Sequence, residues 1–118
     1  MNLMITGGAG FIGANLVLHW LRHHPDDFVV NFNALTYAGN LGNLEDVKDL
    51  LNYRFPHGDL RNTLEISKAF SGHNIEAVIH LAAESNLDRS ILGPADFIET
   101  NVTGTFNLLE IAREFCVD

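Results

Sequence analysis

The chain has 118 residues, enough for one compact domain and too few for two. Nearly half of it is hydrophobic (47%), so it can bury a core and does not read as a disordered tail. Fifteen acidic and seven basic residues give a formal net charge of -8 with no basic run, which argues against a nucleic-acid binder, because a polyanion is held by a basic field.

Leu3-Met4-Ile5 reads as a buried strand running into Thr6-Gly7-Gly8. Apolar residues then recur at Phe11, Ile12, Val17, Leu18 and Leu21, a helical spacing that ends near His23-His24-Pro25. Phe28 to Phe32 is the next strand, so the first 32 residues form one strand–helix–strand unit. Leu41 to Leu51 has helix-like spacing. Tyr53-Arg54-Phe55 predicts a short strand, and Leu64, Ile66, Ala69 and Phe70 a helix ending at Gly72. Ala77 to Ala82 is the clearest later strand. A long helix follows from about Pro94, placed in its first turn, to Phe115, with apolar positions at Phe97, Ile98, Val102, Phe106, Leu109 and Ala112. Strands alternating with helices predict a parallel α/β sheet flanked by helices, with right-handed crossovers.

No apolar stretch is long enough to span a membrane. The single cysteine, Cys116, has no internal partner, and no secretory leader precedes the glycine cluster at residue 7. Both point to a cytoplasmic setting.

The chemistry-bearing signal is the turn Gly7-Gly8-Ala9-Gly10-Phe11-Ile12-Gly13, which follows a strand and opens a helix. Gly7 permits a sharp turn. Gly10 lets a diphosphate approach the backbone, and Gly13 lets the helix pack closely on the strand. Unpaired amides at the helix start then face the phosphates, and the helix dipole favours their charge. No Gly-Lys-Ser or Gly-Lys-Thr follows, so the turn suits a dinucleotide and not the terminal phosphate of ATP. The fold expected is therefore a Rossmann-type sheet, one domain over residues 1–118 that stops before the later strands and the substrate domain.

The end of the second strand is where a carboxylate usually holds the adenosine ribose, and Asn33 stands there. Asparagine hydrogen-bonds a hydroxyl without charge assistance. Ala34, Leu35 and Thr36 follow, with no basic side chain to receive a 2′-phosphate, which favours NAD over NADP. Asp59-Leu60, after the third strand, is placed either to reach the adenine edge or to cap the next helix. Leu81, Ala82, Ala83, Glu84 and Ser85 lie at the end of the fourth strand, where ligands of parallel sheets bind. The two alanines admit a cofactor ribose, and Ser85 offers a hydroxyl to a substrate.

Several stretches together carry a more specific likeness: Thr6 to Gly13, Leu35-Thr36-Tyr37-Ala38-Gly39-Asn40-Leu41, His80 to Ser85, Asp88-Arg89-Ser90-Ile91 and Phe97 to Thr105. The chain resembles the dTDP-glucose 4,6-dehydratases of the extended short-chain dehydrogenase group, over about the first third of a typical member. That family, a lyase family, oxidises its sugar at C4 with bound NAD, eliminates water across C5 and C6, and returns the hydride to C6. The resemblance implies that Phe11 and Ile12 meet the diphosphate by backbone, and that Asn33 replaces the ribose-binding aspartate. It places Ala34, Leu35 and Thr36 beside the adenosine, and Asp59 and Leu60 beside adenine. It places Leu81 to Ser85 along the nicotinamide, Ser85 also at the sugar, and Thr100 on the cofactor. The family's Tyr-x-x-x-Lys pair is absent, since Tyr37 is followed at that spacing by Leu41 and Tyr53 by His57. Its Thr-Asp-Glu dehydration set is absent too. No spacing of histidine, cysteine and carboxylate suggests a metal site.

The expectation is an NAD-binding part of a nucleotide-sugar dehydratase that is inactive by itself. A nucleotide sugar would be a partner only once the missing half is supplied, and the protein partner expected is a complementing chain or a second copy in a homo-oligomer. Two alternatives stand beside it: part of another nucleotide-sugar epimerase or decarboxylase, and a non-catalytic NAD-binding or partner-binding module.

Overall fold

In the computed structural model, residues 1–7, 11–32, 47, 50–56, 58–82, 95 and 98–116 are described, with backbone alone at Phe11, Glu99, Thr100 and Cys116. The elements are β1 (Asn2–Thr6), α1 (Phe11–His23), β2 (Phe28–Phe32), β3 (Tyr53–Arg54), α2 (Thr63–His73) and β4 (Ala77–His80). A π-helical turn at Glu99–Thr103 leads into α3 (Gly104–Cys116). The four strands form one sheet in the order β3-β2-β1-β4, with every pair parallel. That order, with helices on both faces, is the first half of a Rossmann sheet.

Strand alternation divides the core into two layers. Leu3 and Ile5 of β1, with Val29 and Tyr53, face Ala14, Val17 and Leu21 of α1. Met4, Val30 and Phe32 face the other way, onto Ile66, Ala69 and Phe70 of α2 and Leu108 and Ile111 of α3. β1 is buried along almost its whole length because it is central and covered on both faces.

Local chemistry sets the ends of the helices. Asn62 caps α2, its side-chain oxygen accepting from the amides of Leu64 (3.0 Å) and Glu65 (3.3 Å). α2 runs one residue past the expected stop at Gly72. Asn74 takes the left-handed cap conformation (φ 52°) in place of the glycine, as asparagine can. Arg22 and His23 lie in the last turn of α1, where positive charge suits the dipole.

Three expectations are corrected. The helix-like stretch Leu41 to Leu51 falls mostly outside the described residues, and its end, Leu50 and Leu51, is not helical. β4 stops at His80 and not at Ala82, because the Ala82 amide bonds to the Thr6 side chain. The final helix is not uniformly α, since Glu99–Thr103 is wound as the π turn, after α-helical Ala95 and Ile98. Of the apolar positions named for it, Phe97 lies outside the described residues and Ala112 packs on the second core layer. Ile98, Val102, Phe106 and Leu109 are turned outward, 57–64% exposed. Leu108 and Ile111 meet the core instead.

Candidate functional site

The carboxyl ends of β1, β2 and β4 converge beside the start of α1. The strand order reverses between β1 and β4, which is where an open α/β sheet leaves a crevice for a ligand. Gly7 is the pivot. Its φ is +74°, and its amide donates to the Phe32 carbonyl at 3.4 Å. A Cβ on Gly7 would lie 2.7 Å from the Ala82 nitrogen and 2.8 Å from both the Ala82 Cα and the Leu81 carbonyl carbon. The turn after β1 and the segment after β4 therefore touch backbone to backbone, and only glycine fits. Gly13 and Ala14 are buried where α1 approaches the sheet, as the close helix packing requires. Ile12, in the first turn of α1, is 71% exposed, so it takes no part in the core.

The segment after β4 is held by side chains. Thr6 is fully buried, and its Oγ1 accepts from the amides of Leu81 (3.1 Å) and Ala82 (3.2 Å). Nδ1 of His80 lies 2.6 Å from the same oxygen, and Nε2 lies 2.9 Å from Oγ1 of Thr105. Thr105 in turn donates to the Asn101 carbonyl at 2.8 Å. Burial holds the His80 imidazole below its ordinary 6.5. The unfolded chain therefore takes up the proton first on acidification. The contribution of neutral His80 to stability is complete above the ordinary histidine range and is lost as pH falls through 6.5 towards the lower folded value.

A second tie comes from the other side of the crevice. Asn107 of α3 donates to the Leu60 carbonyl at 3.0 Å, and the Leu60 side chain is buried in the second core layer. The Asp59 amide donates to Glu65 at 2.8 Å. The Asp59 carboxylate is bound in a fork by Arg61, with Nη2 to Oδ2 at 2.7 Å and Nε to Oδ2 at 3.0 Å. Asp59 is thus not the cap of α2, a role taken by Asn62. Within β2, Asn31 is fully buried and donates to the Tyr53 hydroxyl at 3.1 Å, while its own side-chain oxygen has no hydrogen-bond partner among the described residues. Burial pushes the Tyr53 hydroxyl up, against the smaller opposing effect of the Asn31 bond.

Of the residues expected at the site, Gly7, Leu81 and Ala82 are brought together, with Ile12 and Gly13 at the start of α1. Asp59 and Leu60 stand after β3, and Phe11 and Thr100 are placed by backbone only, in α1 and the π turn. Gly10, Asn33, Ala34, Leu35, Thr36, Ala83, Glu84 and Ser85 lie outside the described residues. Thr6, His80, Asn101 and Thr105 were not singled out from the sequence. Two of them carried a signal, since Thr6 and His80 are polar residues directly after the apolar runs Leu3–Ile5 and Ala77–Ile79. Among the described residues there is no cluster of three side chains able to hold a metal ion.

The family model for GDP-mannose 4,6 dehydratase matches residues 4–118. The chain belongs to this family. Within it, the dTDP-glucose 4,6-dehydratase of Salmonella typhimurium is 51% identical over 115 residues, covering 98% of this chain and 32% of that protein. The crystal structure of dTDP-glucose 4,6-dehydratase from Bacillus anthracis in complex with NAD superposes with a TM-score of 0.87 at 36% identity, over 98% of this chain and 34% of the other. The UDP-glucose 4-epimerase of Thermotoga maritima, solved with UDP-glucose, gives 0.85 at 31% identity, over 98% and 35%. The chain spans about a third of the length of the curated relatives it matches. The Rossmann fold and its place in this dehydratase family are therefore established on independent grounds. Among the described residues no helix is long and apolar enough to cross a membrane.

Proposed function

We propose that this chain is the cofactor-binding part of a dTDP-glucose 4,6-dehydratase and that it holds NAD across the β1/β4 crevice. The observation that carries the reading is the backbone contact of Gly7 with Ala82 at the point where the strand order reverses. α1 opens there with no acidic residue in its first turn, which suits a diphosphate. When bound, NAD supplies a hydride acceptor. The residues of this chain bind and orient it, with the amides of Phe11 and Ile12 towards the diphosphate. Asn33, Ala34, Leu35 and Thr36 serve the adenosine. Leu81 to Ser85 and Thr100 serve the nicotinamide half, with Ser85 at the sugar. A cytoplasmic setting fits the acidic surface and the single cysteine.

No tyrosine here replaces the base that the reaction needs. Tyr53 is buried under α1 with its hydroxyl on Asn31, and Tyr37 has no lysine four residues on. The chain alone accordingly binds cofactor and does not turn over dTDP-glucose. Calorimetric titration is expected to show NAD binding more tightly than NADP, with no 4-keto sugar formed by the same sample. Tighter NADP binding, or turnover, overturns the respective half of the proposal.

The outward stripe Ile98, Val102, Phe106 and Leu109 supports a second element, a partner surface. We read it as the seat of the rest of the dehydratase fold, supplied by a complementing chain, or of a second copy. By itself the chain is expected to self-associate through this stripe, and Phe106→Glu combined with Leu109→Glu to shift it to monomer in sedimentation velocity. A wild-type chain that is already monomeric counts against this surface.

A further inference from the structure

His80 has no assigned part in the proposed function, yet it bridges three elements of the site. The direction of each hydrogen bond follows from counting donors. Oγ1 of Thr6 already accepts two amides, those of Leu81 and Ala82, so its hydroxyl proton is left to point at Nδ1 of His80. Nδ1 is then an acceptor, and the imidazole proton sits on Nε2. Oγ1 of Thr105 gives its own proton to the Asn101 carbonyl and is free to accept from Nε2. The chain of bonds runs one way from β1 through β4 to the π turn. An imidazolium, or the other tautomer, would press a third donor onto Thr6 and leave the Thr6 proton without an acceptor.

We propose that His80, as the neutral ring protonated on Nε2, is a positioning residue for cofactor binding that fixes the Gly7–Ala82 contact against the π turn Glu99–Thr103. The ring is a rigid spacer between two hydroxyls that belong to different elements. One, Thr6, clamps the two amides beside Gly7. The other, Thr105, bonds back to the carbonyl of Asn101, within the π turn that contains Thr100. A π turn inserted in a helix is a common device at functional sites, and here its wide winding is held in place by a side chain of the sheet. Neither hydroxyl could set the spacing without the ring between them.

The inference rests on the proposed NAD site, and two measurements separate its failure from the failure of that site. Long-range ¹H–¹⁵N correlation spectra of the chain at neutral pH are expected to show the His80 ring neutral with its proton on Nε2. A proton on Nδ1, or on both nitrogens, overturns the inference without reference to NAD. Thr105→Val cuts the bond to the helix and leaves Thr6 and the sheet intact. It is expected to keep the fold and to weaken NAD binding roughly tenfold, the worth of one such bond, with Thr105→Ser restoring it. If wild type and Thr105→Val bind NAD equally well, His80 does not position the site. If the wild-type chain takes up no NAD at all, the proposed function falls, and the role of His80 in binding falls with it.

Discussion

Gly7→Ala is expected to abolish measurable NAD binding and to cost about 3 kcal/mol of stability. Two effects add. A left-handed backbone at a residue with a Cβ costs about 1–2 kcal/mol, and Gly7 has φ +74°. The new methyl would also sit 2.7–2.8 Å from backbone atoms of Leu81 and Ala82, which cannot rotate away as a side chain could. Forced separation of packed groups costs about 1–3 kcal/mol more. The separation opens the crevice where the cofactor is proposed to lie and strains the clamp made by Thr6. Chemical denaturation and calorimetric titration of the same sample check both parts. Gly72→Ala is the control, because nothing lies within 4 Å of its Cβ position and it sits inside α2. There the same substitution is expected to stabilise by about 0.5–1 kcal/mol. If Gly7→Ala binds NAD like wild type, the close contact is not what builds the site.

Phe70→Ala is expected to be the most damaging truncation of the core, at about 3–5 kcal/mol. The ring is 1% exposed, in the layer made by Met4, Val30, Ile66, Leu108 and Ile111. Its centroid is 5.9 Å from that of Phe115, so it also holds the end of α3. A domain of this size is stable by only about 5–15 kcal/mol, so the loss takes a large share of the total. It also loosens α3, the helix that carries Asn107 to Leu60 and Thr105 to His80. The variant is therefore expected to show a lower denaturant midpoint, faster amide exchange in α3 and weaker NAD binding together. Phe70→Leu should lose distinctly less of each. Equal midpoints for wild type and Phe70→Ala would show that α2 and α3 do not share this core.

The outward face of α3 has a consequence for how the protein works. Residues that a sheet-covering helix would normally bury are exposed on its far side, while Leu108 and Ile111 already meet the sheet. The chain covers about a third of the length of its relatives, and neither Tyr37 nor Tyr53 has a lysine four residues on. In the proposed function, binding a cofactor and completing a catalyst are separable properties, and the first can be measured on this chain alone.

What the sequence by itself determined is what depends on neighbours along the chain. Glycine at 7, 10 and 13 after an apolar run identifies a strand, a tight turn and a helix. Alternation of apolar segments identifies a parallel sheet, and the spacing of Leu64, Ile66, Ala69 and Phe70 identifies a helix. These follow from backbone freedom and side-chain period, both acting within a few residues. Only the tertiary structure decided which stripe of α3 and of the turn leading into it meets the sheet, because Ile98, Val102, Phe106 and Leu109 are as apolar as Leu108 and Ile111. It alone ended β4 at His80, since the competing acceptor, Thr6, lies 76 residues from Ala82 along the chain. It alone joined Thr6, His80 and Thr105 into one directed chain of bonds. Packing and long-range hydrogen bonds depend on which surfaces meet in space, and no local pattern encodes that choice.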